Sequence, residues 1–188
     1  MASILRFDNW QNSDGTSIAT TDASGNISFA GAGAGKILQV VSTTKTDTFS
    51  STALGAWTDI TGLSVSITPS STSSKVLVTV HVSGNIYHVN YAARHLRIAR
   101  DSTGIAFADS AGNRQQVTMT AHMSDANVPQ GMSAVHLDSP STTSATTYKV
   151  QFLAFDGTPM YINRSNSDTD AYYTGRTVSS ITVMEVSG

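Results

Sequence analysis

Four basic side chains fall close together in this 188-residue chain: Arg94, His95, Arg97 and Arg100. Along an extended strand, side chains alternate between faces. Arg94 and Arg100 would then flank Leu96 and Ile98 on one side, with His95 and Arg97 on the other. A patch split in this way makes a poor phosphate groove. It suits a solvated edge strand kept from pairing by its charges, or a contact with an acidic partner surface. The five histidines are His81, His88, His95, His122 and His136. On a threefold axis one histidine becomes three, enough for a zinc or nickel site. Isolated strand histidines among Val and Tyr are ordinarily just hydrogen-bonded, so no metal is expected. Asn166, Asp168 and Asp170 set oxygen ligands at alternate positions, as a calcium loop begins. The sixth position is Ala171 rather than Gly, and no Glu follows at the twelfth, so a polar hairpin loop is the better reading. Ser, His and Asp are abundant, but no Gly-x-Ser-x-Gly elbow occurs and nothing groups one of each. A glycan-cleaving pair would need two carboxylates facing a cleft, and the long repeats of a depolymerising β-helix are absent from the sequence. No catalytic residue, and hence no enzyme, is expected. Tyr87, Tyr91, Tyr172, Tyr173 and Trp57 are candidates for stacking on sugar rings, although aromatics at 7% of the chain are expected mostly in the core.

The elements that must carry these side chains are strands. Ser and Thr exceed a quarter of the residues, whereas charged residues reach 13% and the net charge is −2. Thr favours strands and Ser favours turns. Glutamate occurs once, as Glu185, and every other acid is Asp, a turn former rather than a helix former. A near-neutral chain lacks the basic field that nucleic acid requires, so no nucleic-acid partner is expected. No stretch reaches membrane-spanning length and the N-terminus has no signal-peptide pattern, so no membrane association is expected either. Cysteine is absent, which removes disulfides and thiolate sites.

Period-two alternation runs from Lys36 onward. Leu63, Val65 and Ile67 oppose Ser64, Ser66 and Thr68; Val76, Val78, Val80 and Val82 follow after a turn at 69–74. Val117, Met119, Ala121 and Met123 alternate with polar residues; Tyr148, Val150, Phe152 and Ala154 alternate with Lys149, Gln151, Leu153 and Phe155, and Ile181 and Val183 with Thr182 and Met184. Shorter candidates lie at 37–41, 94–100, 105–108, 132–137 and 160–162. About ten strands with frequent turns imply an all-β domain, a two-sheet sandwich of jelly-roll type. Two segments are apolar on both faces: Ile37, Leu38, Val40 and Val41 in one, Leu153 and Phe155 in the other. One face of a sandwich strand normally meets water. These six residues are either covered by a loop or buried against a neighbouring subunit, and the second reading makes them candidate subunit-interface residues.

Residues 1–35 differ in character. Ile4, Leu5, Phe7 and Trp10 form a small apolar cluster ahead of the turn Asn12-Ser-Asp-Gly15. Two short strands, 17–21 and 27–30, bracket Asp22-Ala-Ser-Gly-Asn26 as a miniature hairpin. Gly31-Ala-Gly-Ala-Gly35 then acts as a flexible linker to the 36–188 domain. Two-stranded ribbons are marginal alone in water, so this arm needs a surface to lie against.

Several strings occur in a particular order: Gly35-Lys-Ile-Leu-Gln-Val-Val-Ser, Trp57-Thr-Asp-Ile-Thr-Gly-Leu-Ser-Val-Ser-Ile-Thr-Pro-Ser, Ser73-Ser-Lys-Val-Leu-Val, Thr146-Thr-Tyr-Lys-Val and Ser180-Ile-Thr-Val-Met-Glu. Together, over residues 17–188, they resemble tail-fibre and virion structural proteins of tailed bacteriophages. The segment Asp22-Ala-Ser-Gly-Asn-Ile-Ser-Phe is similar to the short repeats that open phage fibres. The resemblance implies a trimeric appendage on the virion surface, with a jelly-roll head resembling tumour-necrosis-factor-type domains. The near absence of a shaft favours a capsid decoration, cement or short head-fibre subunit. In that reading Ile4, Leu5, Phe7 and Trp10 anchor the arm to a capsid or tail protein. The alternative is a glycan-binding tail-fibre tip that meets a host-surface glycan.

Overall fold

The computed structural model describes residues 9–25, 27–29, 36–85, 94–121 and 125–188. Among them are fourteen strands and no helix, so the protein is all-β with antiparallel sheets throughout. Within the arm, β1 (Asn9–Gln11), β2 (Ser17–Thr21) and β3 (Ile27–Phe29) form a three-stranded meander. The β2–β3 hairpin matches the sequence expectation. Gly25, at a positive φ of 82°, closes its turn by donating to the Asp22 carbonyl at 2.9 Å. A side chain at that φ is strained, which explains why glycine ends the turn. The strand β1 is an addition that the sequence reading did not anticipate.

Beyond the linker come β4 (Ile37–Lys45), β5 (Phe49–Ser51), β6 (Thr58–Ile67), β7 (Lys75–Asn85), β8 (Arg94–Arg100), β9 (Thr103–Ile105) and β10 (Met119–Ala121). These are followed by β11 (Gln130–Asp138), β12 (Thr146–Leu153), β13 (Met160–Ile162) and β14 (Ser179–Val186). One sheet runs β4-β14-β7, with β11 on the far edge of β7. At Gly84 the β7 strand exchanges its β14 neighbour for β13, which in turn pairs with β5. A Cβ at Gly84 would lie 2.2 Å from the Tyr161 carbonyl oxygen, so only glycine permits this approach. The second sheet runs β6-β12-β8, with β9 and β10 sharing the outer edge of β8.

The alternating valines explain why these strands pack as they do. Val76, Val78, Val80 and Val82 of β7, with Ile181 and Val183 of β14, meet Leu63 and Val65 of β6, Leu96 and Ile98 of β8, and Tyr148, Val150 and Phe152 of β12 in one continuous core. All but Val65 are completely buried. At ~25 cal/mol per Å², each such side chain contributes roughly 1.5–3 kcal/mol, so the two sheets are joined face to face in a sandwich-like arrangement.

Polar groups are buried chiefly where elements meet. Glu185 accepts from the backbone N–H and hydroxyl of Ser70 (2.7 and 2.6 Å) and from the Gln39 amide (2.6 Å), joining β14, β4 and the 69–74 turn. The Tyr148 hydroxyl donates to Asp138 at 2.7 Å while Arg100 holds the same carboxylate at 2.8 Å, which ties β12 and β8 to β11. Asn163 donates to the carbonyls of Lys45 and Asp47 and accepts from the Ser179 hydroxyl, closing the base of the β13–β14 loop.

The basic cluster corrects the sequence reading. β8 is an interior strand, paired with β12 on one edge and with β9 and β10 on the other, so it is no solvated edge. The expected division of faces is present: Arg94, Leu96 and Ile98 point inward, and His95 and Arg97 outward. Arg94 is completely buried and pairs with Asp156, and it also donates to the Thr158 carbonyl at 2.8 Å. The acidic partners of this cluster therefore come from the same chain. Residues 105–108 were expected as a strand, but Ala106 adopts a positive φ of 59° and stops β9 at Ile105. Of the alternation at 117–123, only Met119–Ala121 is strand, and residues 122–124 lie outside the described residues.

Candidate subunit interface and exposed loop

Strand register assembles the outer face of the β4-β14-β7-β11 sheet. Val40 pairs with Met184, Met184 with Leu77, and Leu77 with Leu137, so four apolar side chains form one row across the sheet. The next row is Ser42, Thr182, Thr79 and Val135, and the third is Thr44, Ser180, His81 and Ser133. Within these rows Ser42 and Thr182 share a hydroxyl hydrogen bond of 2.8 Å, and His81 Nδ1 lies 3.0 Å from the Ser133 hydroxyl. The face is thus apolar at one end and hydroxyl-covered at the other. Val40, Val135 and Leu137 are 55, 65 and 47% exposed. At the apolar end, a bulge sets both Ile37 and Leu38 against Val186, and both remain exposed. Lys75 is the one formal charge among the outward positions of these strand segments.

The six sequence-derived interface residues do not share one surface. Ile37, Leu38 and Val40 belong to this apolar end. Val41 turns inward and packs against the core, as its alternation with Val40 requires. Leu153 is only 4% exposed, covered by its own chain on the outer side of β12, so it is not presented to a neighbour. Phe155 is exposed but sits just beyond β12, in edge-to-face contact with His95 at 5.8 Å. Leu77, Val135, Leu137 and Met184 complete the apolar end and were not singled out from sequence. Their signal was present, as apolar residues occupying the outward register of strands whose inward register is already apolar.

Among the anchoring residues, Ile4, Leu5 and Phe7 lie outside the described residues. Trp10, on β1 opposite Ala19, is 62% exposed. Ile27 is 63% and Ile18 38% exposed on the same meander.

The outer face of the second sheet has a different composition. Arg97 stacks on Trp57, 4.4 Å from its ring centre, and its Nε donates to Gln151 at 2.7 Å. The Gln151 amide donates to Asp59 at 2.6 Å, and Lys149 donates to the other oxygen of Asp59 at 2.8 Å. Burial would raise the Asp59 carboxyl, but the hydrogen bonds from Lys149 and Gln151 hold it below the usual range. His95 is lowered by burial and by the neighbouring Arg94.

The remaining candidates separate clearly. Tyr87, Tyr91, His88 and His122 lie outside the described residues. Trp57 is half-buried beneath Arg97, whereas Tyr172 is fully exposed and Tyr173 is 56% exposed. Asp168 accepts from Arg164 at 2.8 Å and from Arg176 at 2.9 Å, so the expected polar loop is one held by internal ion pairs. Among the described residues, no group of three or more His, Asp or Glu side chains is arranged to hold a metal ion. No helix among the described residues is long and apolar enough to cross a membrane. In comparisons with known proteins, the chain matches no protein-family model and no curated protein.

Proposed function

We propose that residues 36–188 form a jelly roll resembling tumour-necrosis-factor-type heads, within a non-enzymatic homotrimeric structural subunit of a tailed-phage virion. In this reading the subunit is a capsid decoration, cement or short head-fibre protein, displayed on the virion surface through residues 1–35. Strand order supports the jelly roll. Counting β4, β6, β7, β8, β9/β10, β11, β12 and β14 as the eight principal strands, the first pairs with the eighth, the second with the seventh, the third with the sixth and the fourth with the fifth. A long hairpin wound into two sheets has this pairing.

The observation that carries the trimer is the apolar row Val40–Met184–Leu77–Leu137 together with Leu38 and Val135. Soluble monomers rarely leave such patches open. Sedimentation equilibrium on the full chain tests it: three times the 19.8 kDa chain mass is expected, and a single-chain mass at all concentrations overturns it. The exposed Trp10, Ile18 and Ile27 support an arm that finishes its packing on another protein. Deleting residues 1–30 should leave a folded trimer that no longer co-sediments with particles lacking the native subunit. Continued binding would move the anchor into the 36–188 domain. Antibody labelling of intact particles distinguishes head from tail.

A second reading, a host-glycan-binding tip, is favoured by one observation: the fully exposed Tyr172 beside Tyr173 on the β13–β14 loop.

A further inference from the structure

We infer that the β13–β14 loop is a preorganised subsite for a neutral sugar, an inference that rests on the second reading above and not on the trimer. The base of the loop is fixed. Asn163, itself at a positive φ of 61°, donates its backbone N–H to Ser83 (2.8 Å) and accepts from the Thr177 N–H (3.2 Å). Its side chain is held by Lys45, Asp47 and Ser179 as described above. Residues 164–177 therefore leave and return at one anchored point, the form of a compact loop packed by its own side chains. Inside the loop, Arg164 and Arg176 grip Asp168, whose backbone also sits at a positive φ of 48°. Non-glycine residues in that region carry strain that surrounding contacts must hold, and such strain concentrates at binding sites. Outside, the N–H groups of Asn166 and Ser167 donate to the Ala126 carbonyl, and the Ser167 hydroxyl donates to Asn127.

Beside this frame lies an open pocket of about 260 Å³ lined by Asp168, Thr169, Asp170, Thr174 and Arg176, among others. Drug-sized ligands occupy pockets of roughly 300–1,000 Å³, so a single sugar ring is the suitable scale. The Thr174 N–H donates to the Ala171 carbonyl at 3.0 Å, closing a turn between two residues that line the cavity, and Tyr172 and Tyr173 are the residues that turn carries. Their rings meet edge to face at 5.5 Å. An aromatic pair this exposed on an anchored turn offers flat apolar area at low conformational cost. Sugars combine hydroxyls with apolar C–H faces, so carboxylate, hydroxyl and ring serve one ligand together. Charge decides the class. Asp168 and Asp170 are matched by Arg164 and Arg176, both of which pair with Asp168, so the site carries no net charge and a neutral glycan fits better than a sialylated or phosphorylated one.

Saturation-transfer NMR on the full chain provides the test, with methyl glycosides of glucose, galactose, mannose and N-acetylglucosamine as neutral probes and sialyllactose as the charged probe. Transfer to at least one neutral glycoside is expected, with a Kd on the order of 1 mM. In Tyr172→Ala/Tyr173→Ala it should weaken by about tenfold or more, and the exposure of both rings leaves the fold unaffected. An Asp170→Asn variant should also weaken binding, and unfolding curves of both variants should overlay the parent. No transfer to any neutral probe, unchanged binding in the double variant, or preference for sialyllactose would each overturn the inference. Sedimentation mass measured on the same sample separates its failure from failure of the trimer.

Discussion

The two sheets present opposite outer faces. On the β6-β12-β8 sheet, every long outward side chain around Gln151 meets another from the same chain. Arg97 covers Trp57, Gln151 bridges Arg97 to Asp59, and Lys149 completes the carboxylate. On the β4-β14-β7-β11 sheet, the corresponding positions hold Val40, Met184, Leu77 and Leu137, and among the described residues Val40 and Leu137 stay exposed while Leu77 and Met184 are half-buried. One face is completed by its own residues, and the other keeps an apolar row partly exposed. Core packing is shared by both sheets, so the difference lies wholly in the outward register.

The largest effect is expected where the uncovered face is charged. Val40→Asp/Leu137→Asp would bury unpaired carboxylates in any assembly, at about 3–5 kcal/mol for each interface broken. The sedimentation mass should fall to one chain, while the urea midpoint of the isolated chain changes little because both side chains are already exposed. Assembly that survives the double substitution would show that this face is not the interface.

Acid should act next, through the end of the same sheet. Burial by itself would raise the Glu185 carboxyl, yet hydrogen bonds from Ser70 and Gln39 outweigh it and draw it from 4.5 down to about 2. A depressed carboxylate stabilises the fold fully above its unfolded value, and that contribution is lost as pH falls from about 4.5 toward 2. Roughly 2–3 kcal/mol should disappear over that window, and Glu185→Gln should flatten this part of the profile in urea titrations. A parallel acid limb in the variant would assign the loss elsewhere, Asp156 beside Arg94 being the next group held at about 2.

On the completed face, Arg97→Ala should cost about 1–2 kcal/mol, since it removes the stack on Trp57 and one partner of Gln151. Its sedimentation mass should equal that of the parent, and a changed mass would mean that this face also contacts a neighbour. Lys149→Ala, at a partly exposed ion pair, should lower the unfolding free energy read from urea titration by less than about 1 kcal/mol.

The inward register was legible in the sequence because period-two alternation and burial share a single cause. Val76 through Val82 and Tyr148 through Phe152 read directly as core. The outward register was less legible. Whether Leu153 is exposed depends on what long side chains from other strands do above it, and local pattern carries no record of that. Val40 and Val41 are neighbours in sequence yet face opposite ways, so treating the segment as apolar on both sides merged a core residue with a surface one. The arginines were misread for a related reason. Arg94 is balanced by Asp156 and Arg100 by Asp138, so the charges find distant partners in the same chain. The strand itself is interior because β12 pairs with one edge and β9 and β10 with the other. Tyr172 and Tyr173 were on the sequence-derived list, but only the structure separates them from Trp57, which Arg97 covers while both tyrosines stay exposed.

The pairing of β4 with β14 also governs the order in which the molecule can be made. These strands are far apart in the chain, yet they pair along most of their length, and the Ser187 N–H donates to the Lys36 carbonyl at 2.8 Å. Closing so long a loop is entropically unfavourable until many contacts form at once. During synthesis β4 emerges well before its partner, with Leu38 and Val40 open on one side and its hydrogen-bonding edge unpaired. A growing chain must keep that strand soluble until β14 arrives. Ser42, Thr43, Thr44 and the adjacent Lys45 are well suited to that delay, as polar residues alongside an edge that stays unpaired until late in folding.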